Sequence, residues 1–158
     1  MSDTQAYDPG RLPIKRAPSP GESITIELGG LPPYKDASRS IRNPSHPRYP
    51  SFKALRDAAM QAMAGRACYR GPVQLSLVLR ANEVHPRRRL LDYIGGVMDT
   101  LDGSHGPTFT YLPIVYEDDC QVCLTDGRVV PADRQSYRLD VVFLDPAKPK
   151  PPSRQWNA

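Results

Sequence analysis

The chain has 158 residues, 39% of them hydrophobic and 24% charged, so it is long enough to bury a core and fits one soluble globular domain. Its formal net charge of +4 at pH 7 is compatible with nucleic-acid binding but is not diagnostic of it. No apolar run approaches the roughly 18 residues of a membrane span, and the polar, proline-rich start is unlike a signal peptide. We therefore expect a cytoplasmic protein without membrane contact.

The two ends of the chain differ in composition from its middle. Residues 1–22 contain four of the 18 prolines and few apolar side chains, and residues 145–158 are also rich in proline. This composition predicts a flexible N-terminal arm and a flexible C-terminal tail around a domain at residues 23–144. The tail carries the single tryptophan, Trp156, for which docking on the domain or a partner competes with simple solvation.

Three elements are predicted in the first half of the domain. Residues 24–28 alternate between apolar and polar side chains, as a half-buried strand does. A helix capped by Ser51 and ended by Gly65 follows, with apolar residues at helical spacing. Residues 73–79 alternate again and predict a second strand.

A long polar loop separates the first strand from the first helix. It mixes basic side chains with aromatic ones: Tyr34, Lys35, Arg39, Arg42, His46, Arg48 and Tyr49. This mixture suits contacts with a DNA backbone, and a solvated loop explains it equally well.

The second predicted helix covers residues 88–101, with Gly103 as its stop. One arc is apolar, comprising Leu90, Leu91, Ile94, Val97, Met98 and Leu101, and the opposite arc comprises Asp92, Gly95, Gly96 and Asp99. Two glycines inside a helix cost about 1 kcal/mol each relative to alanine. They therefore suggest that another segment approaches closely there, with a loosely packed surface helix as the alternative.

The last third predicts an inserted loop at 104–112, a strand entered from residues 113–122, a turn at Asp126–Gly127 and a final strand at 137–143. The order β-α-β-α-β-β indicates the α+β class, with helices packed on a mixed sheet. A lone C-x-x-C, Cys120 and Cys123, lacks the further ligands of a zinc site, so buried strand thiols are favoured.

Carboxylates fall at two places in this predicted fold. Asp92 lies on the second helix, and Glu117, Asp118 and Asp119 lead into a strand. Acids brought together from a helix and a strand end commonly hold a divalent metal against phosphate.

Three segments resemble the RusA family of Holliday-junction resolvases, which are small homodimeric, magnesium-dependent endonucleases. They are GLPPYK at 30–35, VMDTLDG at 97–103 and VYEDDCQV at 115–122, and the likeness extends over residues 24–144. The resemblance implies a RusA-like domain, cleavage of branched DNA, homodimerisation, and Mg2+ as the cofactor with Mn2+ as a substitute. It assigns catalysis to Asp119, Asp118 and Asp92, the metal to Asp119 and Asp92, and DNA contacts to Lys35, Arg87, Arg88 and Arg89.

The chain departs from the family at the helix start, where the family pattern is D-x-D-N-x-x-K. A gap-free alignment from Asp99 backward places Arg89 and Leu91 at the two metal-ligand positions and Gly95 at the lysine position. A one-residue deletion instead restores Asp92 as the second ligand. Both alignments lack the first aspartate and the lysine that would stabilise charge developing on phosphate.

Three functions are consistent with these residues. The first is a RusA-like nuclease, possessing a reduced metal site. The second is a non-catalytic relative that binds branched or duplex DNA, with Arg89 neutralising phosphate at a former ligand position. The third is a binding or assembly module unrelated to DNA, in which the acids form a solvated cluster.

Overall fold

The computed structural model describes residues 15–35, 40–82, 89–102, 104–105, 110–111 and 113–147. Its elements follow the predicted order, with a short hairpin added after the second helix. They are β1 (Ser23–Gly29), α1 (Tyr49–Met63), β2 (Val73–Arg80), α2 (Leu90–Leu101), β3 (Ser104–His105), β4 (Thr110–Tyr111), β5 (Val122–Val130) and β6 (Ser136–Phe143). Two helices packed on a mixed four-stranded sheet confirm the α+β class.

The four described strands of the sheet have the order β1-β6-β2-β5, and the only parallel pair among them decides where the two ends of α2 lie. β6 pairs antiparallel with both β1 and β2, whereas β2 and β5 are parallel. A parallel pair needs a crossover connection, and α2 provides it. The end of α2 therefore lies near the start of β5, as the hydrogen bond from the Val115 amide to the Leu101 carbonyl shows.

The core lies between one face of the sheet and the two helices. Alternate side chains of each central strand are buried there, because successive residues of a strand point to opposite faces. The strand residues buried on this face are Ile24, Ile26, Val73, Leu75, Leu77, Leu79, Tyr137, Leu139, Val141 and Phe143. Fully burying one such side chain contributes about 1.5–3 kcal/mol, so this face accounts for much of the stability.

The start of α1 differs from the prediction. The helix begins at Tyr49 with Arg48 in the N-cap position, so Ser51 lies inside the first turn and the predicted serine cap is wrong. Pro50 explains the earlier start, because proline has helical φ and no amide hydrogen that needs a partner. The helix ends at Met63, close to the predicted stop at Gly65, since Ala64 adopts the left-handed conformation with φ 52°.

Two faces of α2 are covered by other parts of the protein, whereas the sequence predicted a single apolar arc. One face packs on the core, and the other lies against the segment that follows β1. Leu91, assigned to that arc, is 70% exposed, whereas Gly96 is buried. A Cβ on Gly96 would lie 2.0 Å from the Pro33 carbonyl oxygen and 2.7 Å from the Tyr34 Cα. The Lys35 amide also donates to the Asp92 carbonyl at 2.9 Å. The predicted close approach at the glycines is confirmed, and the approaching segment is 33–35.

The predicted turn at Asp126–Gly127 is wrong, because both residues lie inside β5. Packing rather than a turn explains the glycine. A Cβ on Gly127 would lie 2.8 Å from the Leu90 Cδ2, so the missing side chain lets α2 pack closely on the strand.

The predicted arm and insert are partly described. Within residues 15–22, the Lys15 amide donates to the Gly65 carbonyl and the Gly21 amide to the Phe143 carbonyl, so this part of the assigned arm is attached to the domain. The insert at 104–112 contributes β3 and β4. Trp156 lies outside the described residues. Neither described helix is long and apolar enough to cross a membrane.

Adjacent glycine substitutions test the packing on α2. We expect Gly96→Ala to lower the free energy of unfolding by about 1–3 kcal/mol, because backbone atoms of the Pro33–Tyr34 segment must move. Gly95→Ala is the matched control: its Cβ would meet only Lys35 side-chain atoms at 3.3 Å, and alanine favours helix by about 1 kcal/mol. Urea unfolding of both variants measures the difference, and equal stabilities would contradict the packing argument.

Candidate functional site

The end of α2 and the turn before β5 bring three carboxylates together. Asp99 lies in the last turn of α2 and Asp102 is its C-cap residue. Asp119 begins a short 3-10 turn, Asp119–Gln121, directly before β5. The carboxyl groups of Asp102 and Asp119 are in hydrogen-bonding contact, and Asp99 adds its negative charge to the pair. We call these three residues the carboxylate cluster.

Gln121 holds the turn that carries Asp119. Its Oε1 accepts hydrogen bonds from the Glu117 amide at 2.8 Å and the Asp118 amide at 3.0 Å. Its Nε2 donates to the carbonyls of Tyr69 at 2.8 Å and Gly71 at 2.9 Å. One partly buried side-chain amide thus joins the turn to the segment that precedes β2, which explains the glutamine of the VYEDDCQV motif.

Burial favours the protonated form of Asp102. Asp102 is only 9% exposed, and burial raises the pKa of its carboxyl to about 8, assisted by the hydrogen bond to Asp119 and the charge of Asp119. Burial also raises the pKa of Asp99, opposed by the charge of Lys35. The Tyr116 hydroxyl, which donates to the Met98 carbonyl at 3.4 Å, has a raised pKa, first from burial and then from the three acids. At neutral pH the Asp102 carboxyl therefore keeps its proton and donates it to Asp119 in the hydrogen bond that joins the two groups.

Two cations from the loop between β1 and α1 face the cluster. The Arg42 guanidinium forms an ion pair with Asp102 at 3.2 Å and donates to the Asp99 carbonyl. The Lys35 charge stabilises the ionised form of Asp99, and the Lys35 side chain runs over Gly95, where a Cβ would lie 3.3 Å from it. This loop therefore balances part of the negative charge.

Asp119 supplies a buried oxygen without a partner. Its Oδ1 has no hydrogen bond, although almost none of its surface is exposed. Such an atom is costly unless a proton or a cation approaches it. Among the described residues, no group of three or more histidine, cysteine, aspartate or glutamate side chains has metal-site geometry. Two carboxylates are nevertheless a donor set that Mg2+ often uses, with water or phosphate completing the coordination.

The structure separates two residues that the sequence paired. Asp92 lies in the first turn of α2, where its Oδ2 accepts a hydrogen bond from the Arg89 amide at 3.0 Å. It precedes Asp102 by ten residues, about 15 Å along a helix axis. Asp119 is therefore brought to Asp102 and Asp99 and not to Asp92. The metal role assigned to Asp92 stays a prediction.

The other predicted site residues lie at different places. Asp118 is exposed and caps the turn, its Oδ1 accepting from the Cys120 amide at 2.9 Å. Lys35 borders the cluster, whereas Arg89 precedes α2 at the opposite end of the helix. Arg87 and Arg88 lie outside the described residues.

Sequence reasoning missed two participants, Asp102 and Arg42. Asp102 stood within the VMDTLDG segment, and its spacing from Asp99 puts both on neighbouring positions of one helix face. That spacing was an available signal. Arg42 was only one of several basic loop residues, and nothing in its local sequence indicates a contact 60 residues away.

Comparison with known proteins adds no assignment. No family model matches the chain, and no curated protein matches it. The likeness to RusA resolvases therefore rests on the three quoted segments, and nuclease activity stays a prediction.

The raised pKa of Asp102 predicts a pH dependence of stability. The folded state retains this proton up to about pH 8, whereas an unfolded aspartate releases it near its ordinary value of 3.8. The stabilising contribution is therefore present at low pH and is lost as pH rises between these values. Asp102→Asn should flatten this dependence and, at about pH 8.5 in EDTA, raise the free energy of unfolding by at least about 1 kcal/mol.

Urea unfolding at several pH values between about 5 and 9 measures this effect. Asp57→Asn, which changes an exposed carboxylate on α1, is the control and should leave the slope as in the wild type. If Asp102→Asn keeps the wild-type slope, the proton is not held by this residue.

Proposed function

We propose that the chain is a RusA-like endodeoxyribonuclease that hydrolyses phosphodiester bonds in branched DNA such as Holliday junctions, with Mg2+ as cofactor and Mn2+ as a substitute. The observation that carries the proposal is the contact between Asp102 and Asp119, which leaves a buried Asp119 oxygen without a partner. A cytoplasmic homodimer belongs to the same proposal through the resemblance.

A divalent ion can take the place of the Asp102 proton. Two carboxylates that repel each other are stabilised by one proton or, more effectively, by a cation of charge two. In this proposal Asp119 and Asp102 hold the ion, and Asp99 contributes charge without direct contact. When bound, the ion supplies Lewis-acid polarisation of a phosphate oxygen and a water of lowered pKa.

A cation from the loop lies beside the helix position at which the family motif carries a lysine. In the gap-free alignment this position is Gly95, and the Lys35 side chain passes directly over Gly95. Lys35 belongs to the GLPPYK segment that carries the resemblance, and its charge acts on Asp99 of the cluster. In our proposal, Lys35 positions the phosphate and stabilises charge that develops on it.

Arg42 regulates access to the pair. Its guanidinium contacts Asp102 Oδ1 at 3.2 Å, and in this proposal a bound phosphate draws Arg42 away and leaves that oxygen open to an ion. Phosphate is a good competitor, because guanidinium binds phosphate and carboxylate with the same bidentate geometry.

The Arg42–Asp102 ion pair also favours a second candidate, a non-catalytic protein that binds branched or duplex DNA. If Arg42 stays paired with Asp102, its positive charge offsets part of the negative charge of the cluster, and phosphate can lie beside the cluster without a metal ion. This candidate predicts junction binding in EDTA that weakens steeply as salt rises.

Cleavage of a synthetic four-way junction with Mg2+ or Mn2+ tests the proposal. We expect Asp119→Asn to reduce the rate at least about 100-fold, because it removes charge from the metal and the transition state. Asp57→Asn, which changes an exposed carboxylate on α1 outside the cluster, is the control and should keep activity within about threefold.

The outcomes separate the candidates. Loss of activity in Asp102→Asn with retention in Asp92→Asn supports the observed pair, and the reverse supports the pair expected from sequence. Undiminished cleavage by Asp119→Asn contradicts the nuclease proposal. Salt-sensitive binding without cleavage by the wild type identifies the second candidate.

A further inference from the structure

A second concave site lies at the start of α1, away from the carboxylate cluster. It is a cleft of about 610 Å3 between the end of β1, the first turn of α1 and the start of β6. Its walls include the apolar Leu28, Leu31 and Pro50 and the polar Arg48, Ser51 and Gln135. This volume falls within the range of pockets that bind small organic ligands.

Tyr137 contributes a polar group to this cleft. The residue is 2% exposed and lines the cleft, yet its hydroxyl has no hydrogen-bond partner among the described residues. The hydroxyl is not one of the fully buried polar atoms without a partner, so it is open to the space of the cleft. An acceptor on a ligand in the cleft can receive its hydrogen bond.

The polar wall of the cleft is positively polarised. Arg48 forms no ion pair with any described residue, and its guanidinium lies 4.6 Å from the centre of the Tyr34 ring. The first turn of α1 contains no acidic residue, and no side chain caps it. The Ser51 hydroxyl lies in that turn, where the helix dipole favours an anion.

We propose that this cleft binds a nucleotide, with its phosphate at Arg48 and Ser51 and its less polar part against Leu28, Leu31 and Pro50. The Tyr137 hydroxyl donates to the ligand. A cationic end beside an apolar wall suits a ligand that is anionic at one end, and the volume exceeds what a lone phosphate fills. A free nucleotide and a nucleotide within a DNA strand share this chemistry. The strand form rests on the nuclease proposal, whereas the free-nucleotide form does not.

Calorimetric titration of the full chain in EDTA tests the cleft independently of the metal site. The probes are thymidine 5′-monophosphate, thymidine, inorganic phosphate and hexathymidylate. We expect saturable binding of the monophosphate or the oligonucleotide, with thymidine and phosphate each at least about tenfold weaker. Comparable binding of both phosphorylated probes indicates a free nucleotide, and binding of the oligonucleotide alone indicates a strand.

Two variants assign binding to the cleft. Arg48→Gln should weaken binding about tenfold or more, since it removes a charged donor. Tyr137→Phe should weaken it about threefold to tenfold and change Tm by less than about 2 °C, because the hydroxyl has no protein partner to lose. Arg56→Gln is the matched control: Arg56 lies on α1 and, like Arg48, is beside an aromatic ring, at 5.8 Å from the Phe52 centroid, but it lies outside the cleft.

Three results would overturn the proposal. They are the absence of saturable binding by every probe, binding of inorganic phosphate as tightly as the monophosphate, and wild-type affinity in both cleft variants. Failure of junction cleavage has no bearing on these titrations, because they contain no metal and no junction.

Discussion

The contact between Gly96 and the Pro33–Tyr34 backbone determines how the rest of the surface is arranged. Only a residue without a side chain lets this segment lie on α2, since a Cβ would come within 2.0 Å of a carbonyl oxygen. Two consequences follow from one contact. Lys35 is directed along α2 toward Asp99, and Tyr34 is placed beneath the Arg48 guanidinium at the cleft. The two glycines lower the helix propensity of α2, but the close contact that they allow helps to place Lys35 near the cluster and Tyr34 against Arg48.

The carboxylate cluster shows how a fold maintains an unfavourable charge arrangement. The parallel β2–β5 pair and its crossover helix bring Asp102 and Asp119 together, and Gln121 fixes the turn so that Asp119 cannot move away. Burial then removes the water that would screen the two carboxylates, which is why a proton remains at neutral pH. Perturbed acids of this kind are concentrated at functional sites, and this motivates the nuclease proposal.

Sequence patterns predicted the frame of the molecule well because alternation and helical spacing report burial directly. The strands at 24–28, 73–79 and 137–143 and both helices are confirmed within a few residues. The errors arose where tertiary packing overrides local preference. Gly127 looked like a turn residue, yet it is glycine because Leu90 packs against it, and Ser51 looked like a cap, yet Pro50 lets the helix begin earlier. The residues that meet in the carboxylate cluster were harder to predict from sequence, because only the crossover topology determines that Asp119 meets Asp102 rather than Asp92.

The central claim is that Asp102 and Asp119 can exchange the proton between them for a divalent ion. A crystal structure of the chain soaked in Mn2+, with anomalous scattering used to locate the ion, tests it most directly. The account predicts a manganese peak within about 2.5 Å of oxygens from both carboxylates, with Arg42 displaced from Asp102. A peak at Asp92 instead, or an unchanged Arg42–Asp102 ion pair without any peak at the cluster, would contradict it.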